Sequence, residues 1–333
     1  MSVDVSVVVP TRDRVDLLSC AVGTALDQDA VAVEVVVVDD ASTDGTAEWL
    51  ANQTDARLRV IRHATQRGVS AARNSGIREA RGTWTAFLDD DDAWAPDKLV
   101  SQVSAAAEAG RGWVYTGEVH VDERFRLLGG GPPLAPTEAM AMLSSFNTLP
   151  SGASNVMVRS DLLTVVGDFD TSLRRTEDWE MWIRLAKTGP PAWVRRPLVA
   201  YRHHRGNADT DPSPMVTEPI VLAHRHGITV DHRGMLRRAA WACMQDGKRM
   251  TAAGYYLRSA AHGDVRSLGR AVVAMTHPAV GTPDVYRLVG WTAEARAWAA
   301  GAEPWLAPLR DQEPPGRPLT GRRRSAQSPG RGL

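Results

Sequence analysis

The chain of 333 residues has only two cysteines, Cys20 and Cys243, and neither belongs to a CxxC pair. That usage gives no support to a zinc site or a thioredoxin-type redox motif. No stretch approaches the roughly 18 consecutive apolar residues that read as a membrane span. The most apolar run, Val31–Val38, is interrupted by Glu34. The opening Met1-Ser2-Val3-Asp4 lacks the basic and apolar regions of a secretory signal. Charge of one sign is also missing: 39 Lys+Arg face 39 Asp+Glu, without the basic excess typical of a nucleic-acid binder. No GxGxxG follows the first strand-like run, which removes a Rossmann dehydrogenase. Together these absences predict a soluble cytoplasmic protein that meets a membrane at most peripherally, at its inner face. Asn52-Gln53-Thr54 matches a glycosylation sequon that has no role without secretion.

What is present is a core: 43% of the residues are hydrophobic, enough for one large domain or two ordinary ones. Short β-rich runs at Val5–Val9, Val33–Val38, Leu58–Arg62, Thr83–Leu88 and Trp113–Thr116 alternate with helical patterns. The helices are predicted over Val15–Gln28, Thr43–Asn52, Val69–Ala80 and Pro96–Ala109, the last with proline in its first turn. Such alternation implies βαβ units and a mostly parallel α/β sheet. A further strand near Asn155–Val158, a helix near Glu177–Lys187 and a strand near Leu198–Tyr201 complete this first region. The predicted boundaries are 1–210 for the α/β domain, 214–300 for an Ala-rich helical region and 303–333 for a disordered Pro/Arg-rich tail.

Ligands of such sheets sit beyond the carboxyl ends of the strands. Three of those ends are polar: Pro10-Thr11-Arg12-Asp13, Asp39-Asp40-Ala41-Ser42-Thr43-Asp44-Gly45, and Asp89-Asp90-Asp91-Asp92. Four consecutive carboxylates repel one another, and after a buried strand they call for a positive partner. A hard divalent cation, Mg²⁺ or Mn²⁺, suits carboxylate and phosphate oxygens. The competing reading is a solvated acidic loop ahead of a helix. Around Asp39, Ser42 or Thr43 is suited to cap the next helix. Glu177-Asp178 opens a helix, where a carboxylate is stabilised by the dipole and commonly only caps.

Taken in order, these segments resemble the inverting glycosyltransferases of family 2, which have the GT-A fold. The similarity rests on Val5–Arg12, Val35–Thr46, Arg67–Gly76, Phe87–Trp94, Gly167–Leu185 with its Glu177-Asp178 pair, and Tyr201–Asn207. It covers about residues 3–208 and carries no motif into the last 125.

The resemblance implies a role for each matching position. Pro10, Thr11, Arg12 and Asp39 would hold the nucleotide, Asp39 on the base. Arg73 would lie near base and phosphates, and Asp89 on the ribose. Asp90 fills the variable middle position. Asp91 would bind the metal, with Asp92 assisting through water, and Asp178 would be the catalytic base. His204 would touch the diphosphate or metal, with His203 as the alternative register. The implied donor is a UDP-linked or other nucleotide-diphospho sugar. The implied acceptor is a saccharide, a lipid-linked species or a small molecule. Two rivals are a non-catalytic binding protein of the same fold and a sugar nucleotidyltransferase, although the latter usually has a Gly-rich loop at Pro10–Arg14. Trp182 is read as core, and Trp179 as either core or a sugar-stacking surface.

Overall fold

The computed structural model describes residues 3–149, 152–204, 211–276 and 292–311. Strands β1 (Val5–Thr11), β2 (Val33–Asp39), β3 (Leu58–Arg62) and β4 (Trp84–Phe87) lie parallel in the order β3-β2-β1-β4. They alternate with helices α1 (Val15–Leu26), α2 (Thr46–Ala51) and α3 (Val69–Glu79). Every residue of β1 and β2 is buried. Strands covered on both faces read as continuous Val-rich runs rather than alternating ones. The two polar residues inside these runs satisfy each other, Ser6 Oγ donating to Glu34 Oε1 at 2.6 Å. Register sets Thr11 beside Asp39, and Asp39 beside Arg62. The polar strand ends therefore share one edge of the sheet.

Past β4 the sheet becomes mixed. The chain runs through β5 (Ala93–Trp94), α4 (Lys98–Ala109), β6 (Trp113–Val121), β7 (Leu127–Gly130) and α5 (Pro136–Leu143). It continues through β8 (Val156–Arg159), α6 (Ser160–Val166), α7 (Glu177–Ala186) and β9 (Ala192–Arg202). β8 is antiparallel to both β4 and β6, while β9 runs parallel to β6 and carries β5 antiparallel at its side. Inserting β8 beside β4 brings the residues just before it against the turn that follows β4.

Two predicted helix starts move. α2 begins at Thr46, and Asp44 Oδ1 accepts from Thr46 N at 2.9 Å. Ser42 and Thr43 instead bond to Asp13, so neither caps α2. α4 begins at Lys98, which leaves Pro96 ahead of the first turn.

The helical region is α8 (Pro214–His226), α9 (His232–Gln245), α10 (Arg249–Ala261) and α11 (Arg266–Thr276), followed by α12 (Ala293–Ala300) and α13 (Glu303–Arg310). α8 packs Leu222 into the same core as Trp179, Met181 and Trp182. Its Glu218 carboxylate accepts from Arg174 N at 2.8 Å, Arg175 N at 3.0 Å and Thr176 N at 3.1 Å, which fixes the loop entering α7. α9, α10 and α11 build a core of their own around Ala239, Cys243 and Tyr256.

The predicted tail starts too early. Glu303–Arg310 is helical, and Leu306 packs with Ala299 and Ala302 against Val119 and Ala200 of the sheet. Trp305 Nε1 donates to Pro197 O at 3.1 Å. Pro304 sits in the first turn of α13, where a missing N–H is tolerated. The proline content that suggested disorder here marks a helix start. Residues 312–333 lie outside the described residues.

Leu306 is fully buried. Leu306→Ala is therefore expected to destabilise the fold by about 2–5 kcal/mol, the usual range for such a deletion. Urea denaturation checks this, and an unchanged midpoint would detach α13 from the cooperative fold.

Candidate active site

The shared strand edge opens into a cavity of about 420 Å³ whose lining includes Pro10, Thr11, Arg12, Arg73, Asp89 and Asp91. Asp40 and Arg14 also face it. Asp39 does not line it and is fully buried beneath, with Oδ1 accepting from Ser42 N at 2.8 Å. Its Oδ2 has no hydrogen-bond partner and lies 3.5 Å from Arg62 Nε. Asp40 braces the approach to α3 by accepting from Arg67 N and Gly68 N. Asp13 adopts φ 51° in the loop after β1, and its Oδ1 accepts from Thr43 N at 2.6 Å.

The four adjacent aspartates have four different surroundings. Asp89 is partly exposed and accepts from Arg73 Nη2 at 2.7 Å. Asp90 is buried and accepts from Thr11 Oγ1 at 2.7 Å and Arg14 Nη1 at 2.9 Å. Burial, reinforced by the neighbouring Asp91 charge, pushes its carboxyl up to about 6. Asp91 Oδ2 lies 3.0 Å from His204 Nε2 and 2.9 Å from Arg14 Nη1. Burial opposes its ionisation, but the His204 hydrogen bond and the Arg14 charge outweigh it and keep the carboxyl below the usual value. Asp92 is fully buried, receives Ser154 Oγ and Arg202 N, and is pushed well up by burial. It does not line the cavity.

Asp178 stands in the first turn of α7, outside the cavity lining. Its Oδ2 accepts from Asn147 Nδ2 at 2.9 Å. Burial first, and then the Glu177 charge, raise its carboxyl to about 7, while Arg73 and the Asn147 hydrogen bond pull in the opposite direction. Arg73 connects this helix start to the strand-end cavity, which it lines. Its Nη1 donates to Glu177 Oε1 at 2.9 Å while Nη2 holds Asp89. Arg73 is itself buried. Desolvation disfavours its charge, yet Asp89 and Glu177 more than compensate and hold it above the ordinary arginine value.

The donor set fits a hard cation with few protein ligands. Asp91 lines the cavity, and His204 Nε2 meets its Oδ2 there. Among the described residues no third His, Cys, Asp or Glu completes a cluster able to hold a metal unaided. Mg²⁺ characteristically binds through one or two side chains plus substrate phosphates. His203 does not compete with His204: its Nε2 lies 2.9 Å from His120 Nδ1, and burial lowers both rings to about 4. Trp179 is core, buried with Nε1 donating to Leu143 O at 2.8 Å.

Sequence reasoning missed Arg14, Asn147, Ser154 and Arg202. Arg14 had a signal, since it follows the polar end of β1. Asn147 and Ser154 sit in irregular loops with no local pattern, and only the sheet order brings them to the site.

The parallel strands β3-β2-β1-β4 thus end at a cavity lined by the carboxylates of Asp40, Asp89, Asp90 and Asp91. Residues 6–154 match the family model described as Glycosyl transferase family 2. The chain is 30% identical over 208 residues to the putative teichuronic acid biosynthesis glycosyltransferase TuaG of Bacillus subtilis, covering 60% of this chain and 78% of that protein. It belongs to glycosyl transferase family 2. It is also 45% identical over 107 residues to the succinoglycan biosynthesis protein ExoO of Rhizobium meliloti, covering 32% of this chain and only 31% of that relative. Escherichia coli WfaP, a UDP-Glc:alpha-D-GlcNAc-diphosphoundecaprenol beta-1,3-glucosyltransferase, is 25% identical over 69% of this chain and 89% of its own length. Among solved structures, S. aureus TarS 1-349 in complex with UDP superposes with a TM-score of 0.55 at 17% identity, over 92% of this chain and 89% of that one. Mannosyltransferase PcManGT from Pyrobaculum calidifontis, in complex with GDP-Man and Mn2+, gives 0.52 at 22% identity, over 91% and 86%. At these identities the two structures establish the fold. Among the described residues no helix is long and apolar enough to cross a membrane.

A titration near 7 for Asp178 has two measurable consequences. The neutral carboxyl is favoured in the fold, so its stabilising contribution is full below an unfolded value of about 3.9 and is lost as pH rises through 7. Asn147→Ala removes a donor that favours the carboxylate, so the Asp178 midpoint is expected to move further up. Carbon-13 NMR of the labelled Asp178 carboxyl tests this. A midpoint near 4 in the unaltered protein would contradict the burial argument.

Proposed function

We propose that the protein is a metal-dependent, inverting glycosyltransferase that moves a sugar from a nucleotide-diphospho sugar, UDP-linked, to an acceptor hydroxyl. The carrying observation is the link from Asp89 through Arg73 and Glu177 to Asp178, whose carboxyl sits near 7. A general base is most effective with a pKa near the working pH. Asp178 takes the acceptor hydroxyl proton as that oxygen bonds to the anomeric carbon. The bond from that carbon to the diphosphate oxygen breaks in the same displacement, and the nucleoside diphosphate leaves. A single displacement inverts the anomeric centre. Asp91 and His204 would hold a Mg²⁺ or Mn²⁺ ion, which supplies charge stabilisation to the departing diphosphate when bound.

Arg12, Thr11 and Pro10 form the cavity wall suited to the nucleotide. Asp39, buried below them with one oxygen lacking a hydrogen bond, supports the reading of a contact to a base N–H. The name of WfaP and the UDP held by TarS favour a UDP-linked donor. A lipid-linked saccharide acceptor follows the WfaP name, with the peripheral membrane contact that such an acceptor requires.

Asp178→Asn is expected to lower transfer by about 10²–10⁴-fold, the usual contribution of general base catalysis, while UDP affinity stays unchanged. Asp91→Ala is expected to weaken Mn²⁺-dependent UDP binding while leaving the fold intact. Nucleoside diphosphate release and calorimetry measure the two. Normal turnover in the Asn variant would remove Asp178 as the base.

A further inference from the structure

A second cavity, of about 690 Å³, lies between the loop after α5 and helices α8–α11, with Arg237, Arg238, Arg270, Phe146, Trp241 and Tyr256 in its lining. Residues 214–276 carry nine Lys or Arg against four Asp or Glu, in a chain that is neutral as a whole. Two of the cavity arginines come from different helices and are gathered on one carboxylate. Asp264 Oδ2 accepts from Arg237 Nη1 at 3.0 Å and from Arg270 Nη1 at 3.2 Å, and Ser267 Oγ fixes it at 2.8 Å. Arg238 is exposed and faces the Phe146 ring at 5.1 Å. One further carboxylate, Asp231, lines the cavity, so cations outnumber anions there.

The loop that forms this cavity also serves Asp178. Phe146 lines the cavity, and the next residue, Asn147, donates to the Asp178 carboxylate. Ser145 O accepts from Asp231 N at 3.2 Å, which ties the loop to the start of α9. Guanidinium forks match phosphate oxygens, and aromatic faces match a sugar ring. We propose that this cavity binds the phosphate or diphosphate ester group of the acceptor, and so selects acceptors that carry one. This inference rests on the reading of Asp178 as the base on the acceptor side.

The probe is inorganic pyrophosphate, titrated calorimetrically into the full chain in metal-free buffer. Binding is expected to weaken at least tenfold in Arg238→Gln/Arg270→Gln. Arg238→Gln alone breaks no ion pair of the described residues and is expected to weaken it severalfold. Arg124→Gln, at an exposed site elsewhere, is expected to leave it unchanged. Co-sedimentation with phosphatidylcholine vesicles carrying a polyprenyl diphosphate separates the two sources of the anion. Arginine-dependent capture assigns the site to a lipid-borne ester. Pyrophosphate binding without capture assigns it to a soluble one. Equal pyrophosphate affinity in the double variant, or binding to neither probe, overturns the proposal. UDP affinity, measured separately with Mn²⁺, reports on the donor reading alone, so its loss would not be mistaken for failure here.

Discussion

The buried guanidinium of Arg73 is the interaction on which the site depends. It joins Asp89, at the end of the fourth parallel strand, to Glu177, at the start of the helix bearing Asp178. Removing one partner of such a buried pair leaves an uncompensated charge, a cost of about 3–5 kcal/mol. The residues around it serve the same junction. Asn74 exchanges hydrogen bonds with the backbone of Phe169, whose ring lies 5.4 Å from the Arg73 guanidinium. Gly76 allows α3 to approach β1 closely, since a Cβ there would stand 2.3 Å from Val8 Cγ1. The Arg-Asn-x-Gly pattern is thus one device that docks α3 on both halves of the site.

The same economy explains how four adjacent aspartates coexist. Arg73, Arg14 and Arg202 supply positive charge or N–H groups from three elements, and two of the carboxyls are pushed towards their neutral form by burial. Asp91 has a histidine beside it, and its carboxyl is held low. The Asp178 carboxyl, in contrast, is raised chiefly by desolvation on the far side of Arg73. The turn after β4 and the start of α7 therefore present carboxyls shifted in opposite directions, which suits the proposed transfer.

Much of the fold was legible because buried parallel strands announce themselves as Val runs with polar ends. Leu58–Arg62 matched to the residue, and β1, β2 and α3 to within one or two. The antiparallel insertion of β8 was not legible, because sheet order depends on long-range pairing rather than on local pattern. For the same reason Ser154, Arg202 and Asn147 went unseen. Asp91 and His204 could be paired only through resemblance, since 113 positions separate them. Composition misled at Glu303–Arg310, where prolines and an arginine accompany three apolar residues that pack on the sheet. The cavity among α8–α11 had no signature in sequence, its arginines being spread over two helices and its aromatic wall over three elements.

On the proposed function, the strand-end cavity receives a nucleoside diphosphate together with a divalent cation. Calorimetric titration of UDP, GDP and dTDP, each with and without Mn²⁺, tests it most directly. Saturable UDP binding that strengthens with Mn²⁺ and exceeds that of the other two nucleotides is the expected result. Absence of binding by all three, with and without the metal, would contradict it.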